Sequence, residues 1–444
     1  MIAAISLALT VLAMIGTAYT LGAAVVAGRW TPTVPPRRRG PSDADTTPAA
    51  GSGPGLPPAR ENGDLVERRD PNVPRRTPGP RPVLVDGVAL AIGVGPGPRL
   101  SPGNEEAEPA SPSITMLKPL HGPEPMLEAK LATFLEQDYP GRIDMVCGVA
   151  DPADPALDAV SAANLTKLTV VRDPARHGSN GKVSNLINML PSAEGDILIL
   201  SDSDMSVGPD YAGLVVAALD QPGVGAVTLP YAGVGETNGW SRMAAAGISW
   251  GFLPSVMIGA ATGLAHPCMG STIALRRETL DAIGGFAPFA DLLADDHAIG
   301  AAVRGLGLKV AVVPPIVLHG CSETSLAALW RHELRWNATV RMLDPAGYAG
   351  SAVTHGFAWG LLAVACGAGG WVVGVALLAR LALAARIDAL VGRQTAPLWW
   401  LPARDLLSFG LYFAAFFTRS VDWRGSRLHM AAGGRMAAET EILK

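Results

Sequence analysis

The chain is poor in cysteine and in charge. Its 444 residues hold four cysteines, Cys147, Cys268, Cys321 and Cys366, scattered with no CxxC pair. That scatter excludes a thiolate metal cluster and a disulfide framework, and fits buried thiols in a reducing compartment. Charged residues make up 17% of the chain and leave a formal net charge of -4. A basic stripe interleaved with aromatics is missing, which sets nucleic acid aside as a partner. No internal repeat is present, and the N-terminus lacks the basic n-region and clear cleavage site of a signal peptide.

What is abundant is apolar surface, unevenly placed. Hydrophobic residues are 49% of the chain and the mean hydropathy is +0.27. That is too apolar for an ordinary soluble enzyme and too mixed for a transporter, so a soluble domain with a few spans is expected. Residues 1–28 read as a transmembrane helix of sufficient length. Arg29 and Arg37-Arg38-Arg39 follow, which by the positive-inside rule puts the N-terminus outside and the rest in the cytoplasm. Residues 29–113 are rich in Pro, Gly and Arg and read as a disordered cytoplasmic linker. Its apolar patch, Val83 to Val94, fits a local strand or hairpin or a binding segment.

Residues 114–345 alternate strand-like and helix-like segments, which predicts a mostly parallel α/β sheet. Residues 346–418 hold two or three apolar segments, broken by Gly367-Ala368-Gly369-Gly370 and carrying Arg404 and Asp405. Those two charges place that segment at the interface or pair internally. Residues 419–444 form a basic cytoplasmic tail.

The chemistry centres on Asp196-Ile197-Leu198-Ile199-Leu200-Ser201-Asp202-Ser203-Asp204. An apolar run of strand length ends in a turn with two carboxylates, and in open α/β sheets ligands bind at that end. Asp202 and Asp204 suit one divalent cation shared with a diphosphate, or a solvated loop. Four other features lie around them: Lys118-Pro119, Asp151, Asp295-Asp296 and His332-Glu333-Leu334-Arg335-Trp336. Each has a plain alternative. Lys118 can be a solvated strand end, and Asp151 before Pro152 an ordinary turn residue. Asp295 suits the N-terminal charge of its helix, which makes Asp296 the better base. His297 reads as structural, and Arg331 and Arg341 as anchors near the bilayer. Trp240 and Trp250 fit core, membrane belt or acceptor groove.

The segments ITMLKPLHG from Ile114, VADPADPAL from Val149, GKVSNL from Gly181, SDSDM from Ser201, ADDH from Ala294 and HELRW from His332 resemble family-2-type inverting glycosyltransferases. More narrowly they are similar to the ceramide glucosyltransferase family, over about residues 114 to 345 with a weak continuation at Asp422-Trp423-Arg424. The resemblance implies a Rossmann-like GT-A catalytic domain, cytosolic, with flanking membrane spans. It implies that Lys118, Asp151 and Asp202 meet the nucleotide sugar, and that Asp202 and Asp204 meet Mg2+ or Mn2+. Asp296 would be the base, and Arg335 and Trp336 would complete the catalytic set. His332 stands where the family's pattern has Gln or Arg.

Within the family, PCMGST from Pro267, GGF from Gly284, the acidic stretch Leu293–His297 and the HELRW segment most resemble the bacterial hopanoid-biosynthesis branch. The implied reaction moves N-acetylglucosamine from a UDP-sugar to a polyhydroxylated hopanoid at the cytoplasmic face of the inner membrane of a bacterium, in a multi-pass protein. Ceramide and UDP-glucose are the alternative pair. A processive polysaccharide synthase, and a non-catalytic membrane scaffold using the linker, are the remaining readings.

Overall fold

A computed structural model describes residues 2–30 and 111–418, and the backbone of three strands beyond them at 420–423, 426–430 and 436–438. The expected linker, with its patch from Val83 to Val94, lies outside the described residues apart from its two ends. The helix α1 spans Ile2–Arg29. The α/β part runs β1 (Ile114–Pro119), α2 (Leu127–Leu135), β2 (Ile143–Val149), α3 (Ala156–Ala163), β3 (Leu168–Arg172), α4 (Gly181–Met189) and β4 (Ile197–Leu200). It continues through β5 (Met205–Ser206), α5 (Tyr211–Leu219), β6 (Val224–Thr228), β7 (Tyr231–Gly235), α6 (Gly239–Gly247) and α7 (Leu253–Thr262). Then come β8 (Ile273–Arg276), α8 (Arg277–Ala282), α9 (Asp295–Gly305), β9 (Lys309–Val312), β10 (Val317–Cys321) and α10 (Leu326–Leu343). The C-terminal part holds α11 (Pro345–Gly350), α12 (Gly356–Ala365), α13 (Trp371–Val391), α14 (Leu401–Phe417), β11 (Ser420–Trp423), β12 (Ser426–Met430) and β13 (Met436–Ala438).

The seven-stranded sheet has the order β3-β2-β1-β4-β8-β6-β9. It is parallel except for β8, which runs antiparallel to both neighbours. This is the expected mostly parallel architecture. Strand β4 shows why the sequence builds it. Ile197 and Ile199 enter the core under α2, α3 and α5, while Leu198 and Leu200 enter the core under α4, α8 and α9. A strand buried on both faces reads as an unbroken apolar run, with no alternation to reveal it as a strand. A second sheet, β5-β10-β7, stands at the mouth of the first. Sequence reading missed β7 and β10, whose glycines and histidine weaken the strand signal.

Two helical segments among the described residues are long and apolar enough to cross a membrane, Ile2–Arg29 and Gly239–Thr262. The second is α6 and α7 joined by a π-helical turn at Ile248–Phe252, and it is largely buried in the protein. Trp250 is fully buried there and donates to Asp388 at 2.9 Å, so it is a core residue. Helix α1 packs on α12, where a Cβ at Gly16 would lie 2.6 Å from the Gly356 Cα. Such backbone contact needs small residues at the crossing. The glycines at 367–370 end α12 and separate it from α13, with Gly367 at φ +96°. Arg404 and Asp405 pair internally, with Glu333 and Arg380 respectively. The expected tail 419–444 carries a three-stranded antiparallel meander in its described part.

Candidate active site

The mouth is built around the turn after β4. Lys118 enters it from β1, fully buried, and donates to Ser201 Oγ at 3.0 Å and to the Asp202 carbonyl at 2.9 Å. Its ammonium lies 3.3 Å from the Phe134 ring centroid. Burial pulls it down to about 7, against the pull of Asp204 and Asp202. Lys118 therefore sits behind the turn and holds its backbone. The side chain expected at the nucleotide sugar is thus enclosed beneath the turn that carries Asp202.

On the open side, Lys182 bridges two carboxylates, at 2.6 Å from Asp202 Oδ1 and 3.4 Å from Asp295 Oδ2. Helix α4 presents it because Asn180 caps that helix, accepting from the Lys182 and Val183 amides at 2.9 and 3.1 Å. Burial opposes its charge, but Asp202 and Asp295 more than restore it, so the lysine stays protonated. Asp296 opens α9 beside it, accepting from the Gly270 amide at 3.1 Å and the His297 amide at 2.7 Å. Burial and then the Asp295 charge push Asp296 up to about 6, against Lys182. Gly270 joins the two carboxylate sites. Its carbonyl accepts from the Asp202 amide at 3.1 Å, and a Cβ there would fall 2.6 Å from Asp202 Oδ2.

Asp204 faces the second sheet. His319 on β10 meets its Oδ2 at 3.1 Å, and the Gly320 amide donates to its carbonyl at 2.8 Å. Burial raises Asp204, but His319, then Lys130 and Lys118, overcome it and hold the carboxyl at about 2. Lys130 is itself clasped by Glu236 at 2.8 Å and Glu124 at 3.1 Å.

Helix α10 closes this side. Trp336 stands edge-on to His319, with centroids 6.1 Å apart, and 4.4 Å from the His332 ring. His332, the departure from the family pattern, bonds Glu323 at 2.5 Å. Glu333, buried on the same helix, accepts from both terminal nitrogens of the Arg404 guanidinium of α14. Arg335 is half-buried next to Trp336.

The structure thus brings Asp202, Asp204, Asp296 and Trp336 together. Asp151 stands apart in the exposed loop after β2, its carboxylate accepting from the Ala153 amide at 2.9 Å. Sequence reading missed Lys182, His319 and Tyr231 as site residues. Lys182 had a signal, a lysine one residue into a capped helix within GKVSNL. His319 and Tyr231 had none, because their strands were not visible.

A divalent cation fits this donor set. Asp204 Oδ1 is buried with no hydrogen-bond partner, and Asp202 keeps 39% of its side chain exposed. Among the described residues no three His, Cys, Asp or Glu side chains form a ready metal cage. Two carboxylates that share a cation with substrate phosphates need none.

Comparison with solved structures finds a mannosyltransferase from Pyrobaculum calidifontis in complex with GDP-Man and Mn2+. It is 22% identical over 69% of this chain and 88% of that one, with a TM-score of 0.41. Glucosyl-3-phosphoglycerate synthase from Mycobacterium tuberculosis, solved with Mn2+, UDP-glucose and phosphoglyceric acid, is 16% identical over 52% of this chain and 79% of that one. Its TM-score is 0.34. The sequence pattern of glycosyl transferase family 21 matches residues 89–436, well over half of the chain. The protein belongs to glycosyl transferase family 21.

Proposed function

We propose that this glycosyltransferase is an inverting, membrane-bound enzyme that moves a sugar from a UDP-sugar to a hydroxyl of a lipid. The observation that carries this reading is the arrangement at the mouth: Lys182 2.6 Å from Asp202, His319 3.1 Å from Asp204, and Asp296 joined to the Asp202 turn through Gly270, whose amide donates to Asp296 and whose carbonyl accepts from the Asp202 amide. His319 and two lysines favour the charged form of Asp204, while burial and Asp295 favour the protonated form of Asp296, which suits the first as an anion and the second as a proton acceptor. Asp202 and Asp204 would hold Mg2+ or Mn2+, which when bound neutralises the diphosphate charge. Lys182 adds a positive charge on the same side, and Asp151 is assigned to the nucleoside on the family resemblance.

Asp296 takes the proton of the acceptor hydroxyl as its oxygen bonds the anomeric carbon. The bond from that carbon to the diphosphate oxygen breaks, and its electron pair leaves with UDP. Trp336 stands beside His319, and Arg335, the residue before it on α10, is assigned to the leaving group's charge. The acceptor we favour is a polyhydroxylated hopanoid and the sugar N-acetylglucosamine, on the resemblance of PCMGST and HELRW. The protein then sits in the inner membrane of a bacterium, passes it more than once, and keeps this domain cytoplasmic.

The test is a transfer assay on membranes holding the full chain. UDP-glucose and UDP-N-acetylglucosamine are each offered against hopanoid and ceramide acceptors. Labelled hopanoid with UDP-N-acetylglucosamine alone supports the reading. Labelled ceramide with UDP-glucose moves the enzyme to the other branch, and growing polymer without lipid dependence overturns it.

A further inference from the structure

Four rings form a line across the mouth. Phe252 and Tyr231 have centroids 4.9 Å apart, Tyr231 and His319 stack at 5.5 Å, and His319 meets Trp336 at 6.1 Å. One end of the line is open, with Phe252 37% exposed. The middle lies against the carboxylates, since His319 bonds Asp204 at 3.1 Å.

The open end adjoins α1. Phe252 is the last residue of the π-helical turn, and Ser255, three residues on, accepts from the Tyr19 hydroxyl of α1 at 3.0 Å. Leu253 and Met257 pack with Ala23 and Ala27 of α1. A π-turn shifts the register of the helix by one residue and recurs at functional sites. Here it lets Trp250 and Leu253 face the core while Phe252 meets Tyr231.

Tyr231 is the second unusual feature. Among the described residues its hydroxyl has no hydrogen-bond partner. Burial, then the charges of Asp296, Asp202 and Asp204, hold it well above the ordinary phenol range, so it remains an O–H donor. A phenol near three carboxylates with a free donor is arranged to meet something that enters the mouth. It also stands on the far side of the turn from Asp151. In the sheet order, β2 and β1 lie on one side of β4, while β8 and β6, which leads to Tyr231, lie on the other.

We infer that Phe252 and Tyr231 form the acceptor subsite, a lane that leads a hydroxyl-bearing lipid from the α1 side to the carboxylates. Phe252 seats the hydrocarbon next to the reacting end. Tyr231 donates to the acceptor's hydroxylated end and orients it towards Asp296. Both are positioning residues. The inference rests on the lipid-acceptor reading above.

The experiment uses the full chain in phosphatidylglycerol vesicles, with a polyhydroxylated hopanoid and a ceramide as probes, and measures acceptor KM, UDP-sugar KM and kcat. Phe252→Ala is expected to raise acceptor KM about 10-fold and leave UDP-sugar KM within about two-fold, as one lost ring contact implies. Phe252→Trp restores it, which a general folding defect would not allow. Tyr231→Phe keeps the stack and is expected to lower kcat about 10-fold, the loss of one hydrogen bond in the reacting complex. Equal shifts in donor and acceptor KM, or variants that match the wild type, overturn the inference alone. A wild-type chain that transfers to neither probe, yet hydrolyses UDP-sugar or builds polymer, removes the lipid reading and the inference with it.

Discussion

Asp204 and Asp296 lie in one mouth, and their environments work in opposite directions. Asp204 faces the small second sheet, where His319, Lys130 and Lys118 hold it at about 2. Asp296 opens α9 next to Asp295, and burial and that like charge push it to about 6. One mouth thus holds a carboxylate whose charged form is favoured by a histidine and two lysines, and another whose protonated form is favoured by burial and a like charge. The difference comes from what each loop packs against. The turn after β4 is backed by a histidine and two lysines, while the start of α9 is backed by a second aspartate, with Lys182 as its compensating charge.

The strongest way to break this comparison is to remove the two carboxylates of the turn after β4. Asp202→Ala and Asp204→Ala are each expected to lower turnover about 1,000-fold, the scale of lost charge stabilisation at a reacting centre. Chelation of divalent cations should do the same to the wild type, and titration calorimetry should show weakened UDP-sugar binding in both cases.

A second break lies outside the mouth. Glu333→Gln leaves the buried Arg404 without its ionic partner, at a cost of about 3 kcal/mol. Denaturant unfolding of the detergent-solubilised chain measures it, and exchanging the two as Glu333→Arg with Arg404→Glu should recover part of the loss. His319→Gln should free Asp204 from its held state and raise UDP-sugar KM about 10-fold, as loss of a charged hydrogen bond implies.

The pH dependence sharpens the contrast. A base must be unprotonated, so acceptor kcat/KM should fall with decreasing pH through about 6, with a slope of one. Asp295, Lys182 and Asp202 surround Asp296 and set that midpoint, and Asp295→Asn should move it down. The smallest effect is on stability. The folded chain keeps a proton on Asp296 up to about 6, whereas the unfolded chain releases it near 4, so this group costs stability as pH rises between the two. Asp296→Asn should therefore raise Tm at pH 7.5 by about 3 °C.

The main sheet was legible because its central strands carry largely apolar runs: ILIL at β4 and ITML at β1 do not read as loops. The carboxylates at their ends were legible for the same reason, as polar residues at a fixed place after an apolar run. The second sheet was not. VLHGC at β10 and YAGVG at β7 are short and carry glycines where β7 packs closely on α6, so neither shows alternation or an apolar run. With them went His319 and Tyr231, which only the fold brings to the carboxylates. The burial of Lys118 was not legible either: a lysine near the end of a strand reads as a surface charge, and nothing in sequence reveals that Phe134, Ser201 and Asp202 enclose it. Arg404 and Asp405 were visible as misfits in an apolar helix, but their partners Glu333 and Arg380 lie 71 and 25 residues away and had to be seen in space.

The central claim is that Asp296 removes the acceptor's proton and does not bind the donor. Asp296→Asn separates the two in one preparation, by calorimetric titration with UDP-sugar and Mn2+ alongside transfer to lipid. The account predicts donor affinity within about three-fold of wild type and a loss of transfer of at least about 1,000-fold, as removal of a general base gives. Wild-type transfer in that variant, or lost donor binding with no separate effect on transfer, would contradict it.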